Sequence, residues 1–357
     1  MTTIDTPRLD EAALEQFVNQ AVGDLAAAIS GLMVHLGDRL GLYRAMAGAG
    51  PVTSAELAAR TGTHERYVRE WLSNQAAGGY VTYDPRGGTF ELGAEQALVL
   101  AHESPVFLAG AFETIASAYV DHDAFVRAFT TGEGIDWGDH DERLHTGALR
   151  LFRSGYEANL VQSWLPALDG VVEKLRSGAR VADVGCGFGA STVIMAREFE
   201  RSSFLGVDSH APSVDAARVA ANEAGVEART RFEVATAAEV PGTGYDLVTM
   251  FDSLHDMGDP VGIARGIRRS MTSDGTLLLV EPAAGDALAD NLNPVGRMYY
   301  GLSTVICTPS SLSQEVGLGL GAQAGPVRMG EVLREAGFSR VRVAARTPFN
   351  VILEARP

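Results

Sequence analysis

A glycine-rich segment in the second half of the chain, VADVGCGFGAST at residues 181–192, can hold a ligand against exposed backbone. Gly185, Gly187 and Gly189 follow a hydrophobic stretch that predicts a buried strand, and a helical pattern comes next. Glycine permits a sharp turn and lets a ligand approach the main chain closely. Gly185, Gly187 and Ala190 also have the G-x-G-x-x-[GA] spacing of dinucleotide sites. The glycines alone therefore leave the class of ligand open.

Two acidic residues narrow the choice of ligand. Asp183 lies inside the predicted strand, two residues before the first glycine. Its carboxylate can accept hydrogen bonds from loop amides and attract an ammonium group, but it would gain nothing beside a pyrophosphate. Asp208 ends the next hydrophobic segment, FLGVD. A carboxylate at that point can accept hydrogen bonds from both hydroxyls of a ribose.

A cluster of three polar residues follows the predicted strand at residues 245–251. Asp252, Ser253 and His255 come directly after it, and open α/β sheets bind ligands at the carboxyl ends of their strands. An imidazole that titrates near neutral pH can take a proton from a hydroxyl or carboxyl group while that group reacts. The alternative interpretation of His255 is a structural histidine at the start of a helix.

The order of these features resembles a known enzyme family. The D-x-G-x-G-x-G arrangement at residues 183–189 resembles the first motif of class I S-adenosylmethionine-dependent methyltransferases, and LHDMGD at 254–259 resembles a segment of plant-type small-molecule O-methyltransferases. The chain as a whole is similar to actinobacterial and mycobacterial methyltransferases with a winged-helix N-terminus. The resemblance implies methyl transfer from S-adenosyl-L-methionine, yielding S-adenosyl-L-homocysteine, to a small-molecule acceptor. His255 would be the general base for a hydroxyl or carboxyl oxygen.

The resemblance also implies which residues contact the cofactor. The glycine loop would face its methionine end, Asp208 its ribose, and the turn at 234–238 its adenine. The complete predicted set is Asp183, Gly185, Cys186, Gly187, Gly189, Asp208, Ser209, Thr236, Ala237, Asp252 and Ser253.

The sequence predicts fewer of the residues that contact the substrate than of those that contact the cofactor. An insertion near residues 284–326 is expected to cover the substrate, which makes Tyr299, Tyr300 and Cys307 candidates for the pocket wall or, equally, for helix packing. Residues 285–325 offer no clear partner to orient His255, although Asp252 or Glu281 could do so. No metal site is expected.

The predicted elements of the second half alternate between strand and helix, which is typical of a mostly parallel sheet covered on both faces. The short link at residues 346–349 predicts that the last two strands are antiparallel. The fold class is therefore α/β, a seven-stranded Rossmann-like sheet of the methyltransferase type. The predicted strands are Arg180–Gly185, Ser203–Asp208, Thr230–Val234, Tyr245–Phe251, Thr276–Glu281, Arg340–Ala345 and Asn350–Glu354.

The first half is predicted to be mainly helical and to contain a winged helix-turn-helix. Apolar residues recur at helical spacing from Leu9 to Met46, with a break at Gly41. Two helices then follow, at residues 55–59 capped by Ser54 and at 64–77 capped by Thr63, and a hairpin spans 80–92. The predicted domains are 1–165, for dimerisation and substrate cover, and 166–357, for cofactor binding. The long apolar first helix favours a homodimer.

Composition excludes several classes of protein. With 357 residues, 46% hydrophobic and 21% charged, the chain is not mainly disordered. A net charge of −16 argues against general nucleic-acid binding. The sequence predicts neither a membrane span nor a signal peptide, and two cysteines suit a reducing cytoplasm.

His140 and His145 are possible metal ligands by residue type, but their spacing matches no ligand motif, so they are expected in a solvated loop.

Two other functions remain open at this stage. One is a winged-helix transcriptional regulator that binds S-adenosylmethionine without turnover, and the other is a nicotinamide-dependent oxidoreductase. The first predicts salt-sensitive DNA binding, and the second predicts binding of NAD rather than S-adenosylhomocysteine.

Overall fold

The structure is a computed structural model that describes residues 9–357. The prediction that there is no signal peptide concerns the first five residues, which lie outside this range. The chain divides into two compact units. One extends to Ala116 and includes Thr146–Leu151, and the other consists of Ser117–His145 and Phe152–Pro357. The predicted domain boundary at residues 165 and 166 and the predicted domain roles stay predictions.

The N-terminal part is helical with one small hairpin, as the sequence predicts. The hairpin strands pair antiparallel, with Tyr83 opposite Phe90. The elements are α1 (Glu11–Arg39), α2 (Leu42–Met46), α3 (Ser54–Thr61), α4 (Glu65–Ala77), β1 (Thr82–Asp84), β2 (Thr89–Glu91), α5 (Ala94–Leu100), α6 (Ala109–Val120), α7 (His122–Thr131) and α8 (Glu142–Asn159).

The helix-turn-helix is present, but the residue that caps each of its helices lies one position away from the predicted cap. Thr53, not Ser54, caps α3, because its side chain accepts a hydrogen bond from the Glu56 amide while the Glu56 carboxylate accepts from the Thr53 amide. His64, not Thr63, caps α4 through its ring nitrogen. The predicted break at Gly41 is confirmed, since Gly41 has φ 70° between α1 and α2.

The core of the winged-helix unit forms around the aromatic residues of α2 and α4. Tyr43 and Trp71 are buried and meet edge to face, and the Trp71 indole donates a hydrogen bond to the Met33 carbonyl. Arg150 donates to both carboxylate oxygens of the buried Asp38, which connects α8 to the end of α1. Packing and one buried ion pair thus hold the C-terminal end of α1 in place.

The rest of α1 presents apolar side chains to solvent. Exposed residues recur along its length, among them Phe17 at 65% and Leu25 at 71%. By length and composition this helix could cross a membrane, but one such helix near an N-terminus is weak evidence for a span. The expected absence of a membrane span therefore stays a prediction.

The second unit contains a seven-stranded sheet, which confirms the predicted fold class. All seven predicted strands are present within a few residues of their predicted ends; the fifth begins earlier, at Met271. The strands are β3 (Arg180–Val184), β4 (Ser203–Asp208), β5 (Thr230–Val234), β6 (Tyr245–Phe251), β7 (Met271–Pro282), β8 (Arg340–Arg346) and β9 (Asn350–Arg356). The helices are α9 (Val171–Ser177), α10 (Ala190–Glu198), α11 (Ala211–Glu223), α12 (Pro260–Ser270), α13 (Pro294–Leu302), α14 (Thr308–Leu312) and α15 (Gly325–Glu335).

The strand order is β5-β4-β3-β6-β7-β9-β8. Strands β3 to β7 are parallel, and β9 pairs antiparallel with both β7 and β8, as the short final link predicts. Helices cover both faces, with one core around Met195 and Val214 and another around Ile267 and Leu333. The order of strands reverses between β3 and β6, and open α/β sheets bind ligands in the crevice at such a reversal.

His140 and His145 are both buried, so the prediction of a solvated loop is wrong. A ring nitrogen of His140 lies 3.3 Å from the Asp121 carboxylate, and burial lowers the pKa of His140. His145 lies in the first turn of α8, where its Nε2 is 3.0 Å from the Trp137 carbonyl. The acidic sequence around these residues suggested solvent, whereas the half-buried Asp121 and Trp137 provide them with partners.

Candidate functional site

The glycine loop connects β3 to α10 and has three glycines with positive φ, at 73°, 51° and 75° for Gly185, Gly187 and Gly189. A Cβ at Gly185 would lie 2.9 Å from Ser253 Oγ, and one at Gly189 would lie 2.8 Å from Ala217 Cβ and 2.9 Å from Phe232. At Gly187 a Cβ would meet nothing within 4 Å. Gly185 and Gly189 thus permit tight packing, whereas Gly187 leaves open backbone that can contact a ligand.

Asp183, in the strand before this loop, bonds to the helix that follows the loop and to the neighbouring strand β6. Its carboxylate is buried and accepts hydrogen bonds from the hydroxyls of Ser191 and Thr192, both at 2.6 Å, and of Thr249 at 2.8 Å. Burial raises the pKa of Asp183, while these three hydroxyls oppose that rise. The predicted bonds to loop amides are wrong: the donors are side chains of α10 and β6.

Asp208 lies at the tip of β4 and contacts the glycine loop directly. Its carboxylate accepts hydrogen bonds from the amides of Gly187 at 2.8 Å and His210 at 2.9 Å. Each oxygen still has a lone pair for a further donor, such as a sugar hydroxyl. Cys186, in contrast, is buried with the core residues on one face of the sheet.

Aromatic rings lie beside Asp208. His210 stacks on His145 with ring centroids 4.5 Å apart, and Trp137 meets His145 edge to face at 5.2 Å. Burial lowers the pKa of His210, which favours the neutral ring. Sequence reasoning missed His145 and Trp137, which are distant in the chain from the strand tips.

The remaining residues predicted to contact the cofactor lie near the same edge of the sheet. Ser209 is exposed in the turn after β4. Thr236 is exposed after β5 and precedes a 3-10 turn at Ala237–Glu239. Ser253 Oγ is buried and has no hydrogen-bond partner among residues 9–357. An unpaired hydroxyl next to the glycine loop can bond to a ligand.

Asp252 has a strained backbone, since it is the one non-glycine residue in the described part of the chain with positive φ, at 48°. Its carboxylate accepts hydrogen bonds from the Tyr156 hydroxyl at 3.3 Å and the Asn350 amide at 3.0 Å. Burial, followed by the nearby charge of Glu281, raises the pKa of Asp252 to about 8. Tyr156 and Asn350 were not predicted, because α8 and β9 are far from Asp252 in sequence.

His255 is buried in a 3-10 turn after β6, between two carboxylates. Its Nδ1 is hydrogen-bonded to Glu281 at the end of β7, and its Nε2 lies 3.0 Å from Asp256 Oδ1. Glu281, one of two residues suggested for orienting His255, therefore occupies that position, whereas Asp252 bonds elsewhere. Burial would lower the pKa of His255, but the charges of Asp256 and Glu281 raise it well above its ordinary value.

The three predicted substrate residues differ in their surroundings. Tyr299 is buried and its hydroxyl donates to the Phe349 carbonyl, which is a packing role, while Tyr300 is half-buried. Cys307 is buried at the end of a π-helical segment, Ser303–Cys307, and burial raises the pKa of its thiol to about 11. Its sulfur lies close to His255 and Asp256.

Both parts of the chain match known domain families. Residues 27–102 match the family described as Rv2258c-like winged HTH domain, and residues 175–336 match the family described as methyltransferase domain. The predicted winged helix is thereby confirmed. Neither match supports the regulator or the oxidoreductase alternative.

Two curated relatives are methyltransferases. The 27-O-demethylrifamycin SV methyltransferase of Amycolatopsis mediterranei is 32% identical over 131 residues, which cover 34% of this chain and 48% of that protein. The chain thus spans about half the length of this relative. The ubiquinone biosynthesis O-methyltransferase of Xanthomonas euvesicatoria pv. vesicatoria is 30% identical over 194 residues, covering 50% of this chain and 76% of that protein.

A solved structure has the same fold as this chain. Human N-acetylserotonin methyltransferase, in complex with S-adenosylmethionine, superposes with a TM-score of 0.70 at 18% identity, over 100% of this chain and 99% of that one. The matched domains and the relatives confirm the predicted cofactor, S-adenosyl-L-methionine. The chain therefore belongs to the S-adenosylmethionine-dependent methyltransferases, and it has an N-terminal winged-helix domain.

Proposed function

We propose that the protein transfers a methyl group from S-adenosylmethionine to a hydroxyl or carboxyl oxygen of a small molecule, with His255 as the general base. The observation that carries this proposal is the pairing of His255 Nδ1 with Glu281 at the carboxyl edge of the sheet, where Gly187 and Asp208 also lie. This geometry holds a proton acceptor at the same edge of the sheet as open backbone that can receive the cofactor.

The residues at this edge fit the cofactor in size and chemistry. A Cβ at Gly187 would meet no atom within 4 Å, so the backbone there is open to a ligand. Ser253 has an unpaired buried hydroxyl, and the Asp208 carboxylate can accept further hydrogen bonds from a ribose. When bound, S-adenosylmethionine supplies a methyl group already activated on a sulfonium, so transfer requires only an aligned nucleophile. The chain's remaining task is to orient the acceptor and remove its proton.

Glu281 fixes which nitrogen of His255 can act as the base. Because the Glu281 carboxylate accepts a hydrogen bond from Nδ1–H, Nε2 is the nitrogen that exchanges a proton, and its lone pair becomes free once His255 has lost the proton that the raised pKa favours. Accepting a proton at Nε2 creates a positive charge that Glu281 and Asp256 stabilise. A neutral phenol or acid is a weak nucleophile, and transfer of its proton to Nε2 during the reaction activates its oxygen.

Further parts of the proposal concern assembly and location. The exposed apolar residues of α1 would be buried in a homodimer, which explains how a helix with this composition stays in solution. Two free, buried cysteines fit a cytoplasmic protein. The partner is a small-molecule acceptor, and the acidic chain is not expected to bind nucleic acid.

Replacement of Asp208 by Ala should weaken binding of S-adenosylhomocysteine by about 1–3 kcal/mol, because charge-assisted hydrogen bonds to the ribose are lost. Isothermal titration calorimetry measures this directly. Asp215→Ala is the matched control, since Asp215 is exposed on α11 and pairs with Arg218. An unchanged Kd for the Asp208 variant would place the ribose elsewhere.

Incubation with labelled cofactor and a panel of phenols, carboxylic acids and amines tests the activity itself. We expect label on an oxygen acceptor, with turnover about 100-fold lower in His255→Ala. Glu281→Gln should lower turnover by about tenfold or more, because an amide no longer specifies the tautomer of His255. Both variants should retain S-adenosylhomocysteine binding. Labelling of amines alone, at a rate that His255→Ala leaves unchanged, would contradict the proposal.

Replacement of Asp252 by Asn should change how stability depends on pH. The folded-state pKa of Asp252 is about 8, above its ordinary value, so its contribution to stability is present below about pH 4 and is lost as pH rises through 8. Asn cannot ionise, and it tolerates positive φ. The variant should therefore unfold at a higher Tm than wild type at pH 8.5, by roughly 4 °C or more, with a smaller advantage at pH 5.

Differential scanning calorimetry from pH 5 to 8.5 measures this effect. The charged or titratable groups facing Asp252 are Tyr156, His255, Asp256, Glu281 and Tyr299, all retained in the variant. Asp215→Asn serves as the surface control. A difference in Tm that stays constant across this pH range would show that Asp252 ionises normally.

Replacement of Leu25 by Glu should disrupt the proposed homodimer, because a charge would have to be buried in the apolar contact. Light scattering after size exclusion should give twice the 37.8 kDa chain mass for wild type and the chain mass for the variant. Val219→Glu is the control, since Val219 is an exposed apolar residue on α11. A wild-type monomer, or a dimer that survives Leu25→Glu, would rule out this interface.

A further inference from the structure

Three different metal-ligating side chains meet next to the sheet edge. His255 and Asp256 come from the turn after β6, and Cys307 ends the π-helical segment before α14. A ring nitrogen, a carboxylate oxygen and the sulfur of these residues all lie within 4.8 Å of one another. Their spacing in the sequence matches no metal motif, so only the fold brings them together.

The distances are close to those of a coordination shell. Zinc bonds of about 2.0 Å to nitrogen and oxygen and 2.3 Å to sulfur place tetrahedral ligand atoms roughly 3.3–3.8 Å apart. His255 Nε2 and Asp256 Oδ1 are already 3.0 Å apart, and the widest separation in the group is at most 4.8 Å. Side-chain adjustments of about 1 Å would bring the three atoms onto one cation.

The surroundings of the three ligands also favour a cation. Glu281 accepts a hydrogen bond from Nδ1 of His255, which leaves Nε2 for the metal and reproduces the carboxylate–histidine–metal arrangement of natural sites. The buried Asp256 Oδ1 lies 3.0 Å from His255 Nε2, so a cation bound to both atoms would take the place of the proton on Nε2. A metal ion would satisfy this oxygen and offset the negative charges of Asp256 and Glu281.

The ligand set selects the kind of metal. A nitrogen, an oxygen and a sulfur donor suit the borderline-soft ions Zn²⁺ and Co²⁺, whereas Mg²⁺ and Ca²⁺ prefer oxygen donors alone. Three protein ligands also leave a fourth tetrahedral position for water. Cys307 is packed against Ile306, Leu144 and Ala322, which provide an apolar wall.

We propose that His255, Asp256 and Cys307 form a three-ligand site for Zn²⁺ or a similar divalent ion. Binding forms bonds from the ion to Nε2, Oδ1 and Sγ and releases two protons to solvent, one from the Cys307 thiol and one from Nε2 of His255. An occupied site removes the lone pair of Nε2 from proton transfer. The ion therefore inhibits methyl transfer, and this last step alone rests on the proposed role of His255 as base.

Titration of the metal-free, full-length protein with Co²⁺ tests the site without any substrate. We expect one equivalent to bind, with a sulfur-to-cobalt charge-transfer band in the near ultraviolet that Zn²⁺ abolishes. Cys307→Ser should lose the band, and Asp256→Asn should weaken Co²⁺ binding by about tenfold or more. Cys186→Ser is the matched control, because Cys186 is the other buried free cysteine and should leave the band intact.

Circular dichroism and thermal unfolding establish that each variant is folded. Absence of the band in wild type, or its loss in Cys186→Ser but not in Cys307→Ser, would overturn the site. One equivalent of Zn²⁺ should inhibit wild-type methyl transfer at least about tenfold and leave the remaining activity of Cys307→Ser unaffected. Metal binding without inhibition would overturn the role of His255 while leaving the metal site in place.

Discussion

The buried carboxylate of Asp183 is the constraint on which the rest of the candidate site depends. It lies at the point where the strand order reverses, and hydroxyls from α10 and β6 converge on it. A buried carboxylate without partners would be costly, so these bonds fix the start of α10 relative to both central strands. The glycine loop between them then has one conformation, with the open backbone of Gly187 beside Asp208.

Much of this fold could be predicted because its signals are local. A buried parallel strand is a short apolar run, and the sequence contains four such runs, at β3, β4, β6 and β7, with helical segments between the earlier ones. Glycine at positions 185, 187 and 189 also permits the positive φ that the loop adopts there. Helix caps were each misplaced by one residue, since neighbouring residues such as Thr53 and Ser54 can both cap a helix and the wider hydrogen-bond network decides.

The unpredicted features of the site depend on contacts between distant segments. Tyr156 and Asn350 reach Asp252 from α8 and β9, and neither residue belongs to a motif. Cys307 meets His255 only because a π-helical turn follows α13. His145 was misjudged for the same reason: its acidic neighbours in sequence suggested solvent, but its neighbours in space are rings. Local patterns identify chemical groups, whereas tertiary packing determines their partners.

The ring of Phe232, in β5, packs against two glycines, Gly189 at the end of the glycine loop and Gly206 in β4. Its ring occupies the space where a side chain at Gly189 or Gly206 would have to go, at 2.9 Å and 2.5 Å from the respective Cβ positions. These three positions therefore form a single packing unit, in which a side chain at 189 or at 206 requires a smaller residue at 232. During divergence or redesign of this enzyme they must change together, and the effects of single substitutions among them will not add.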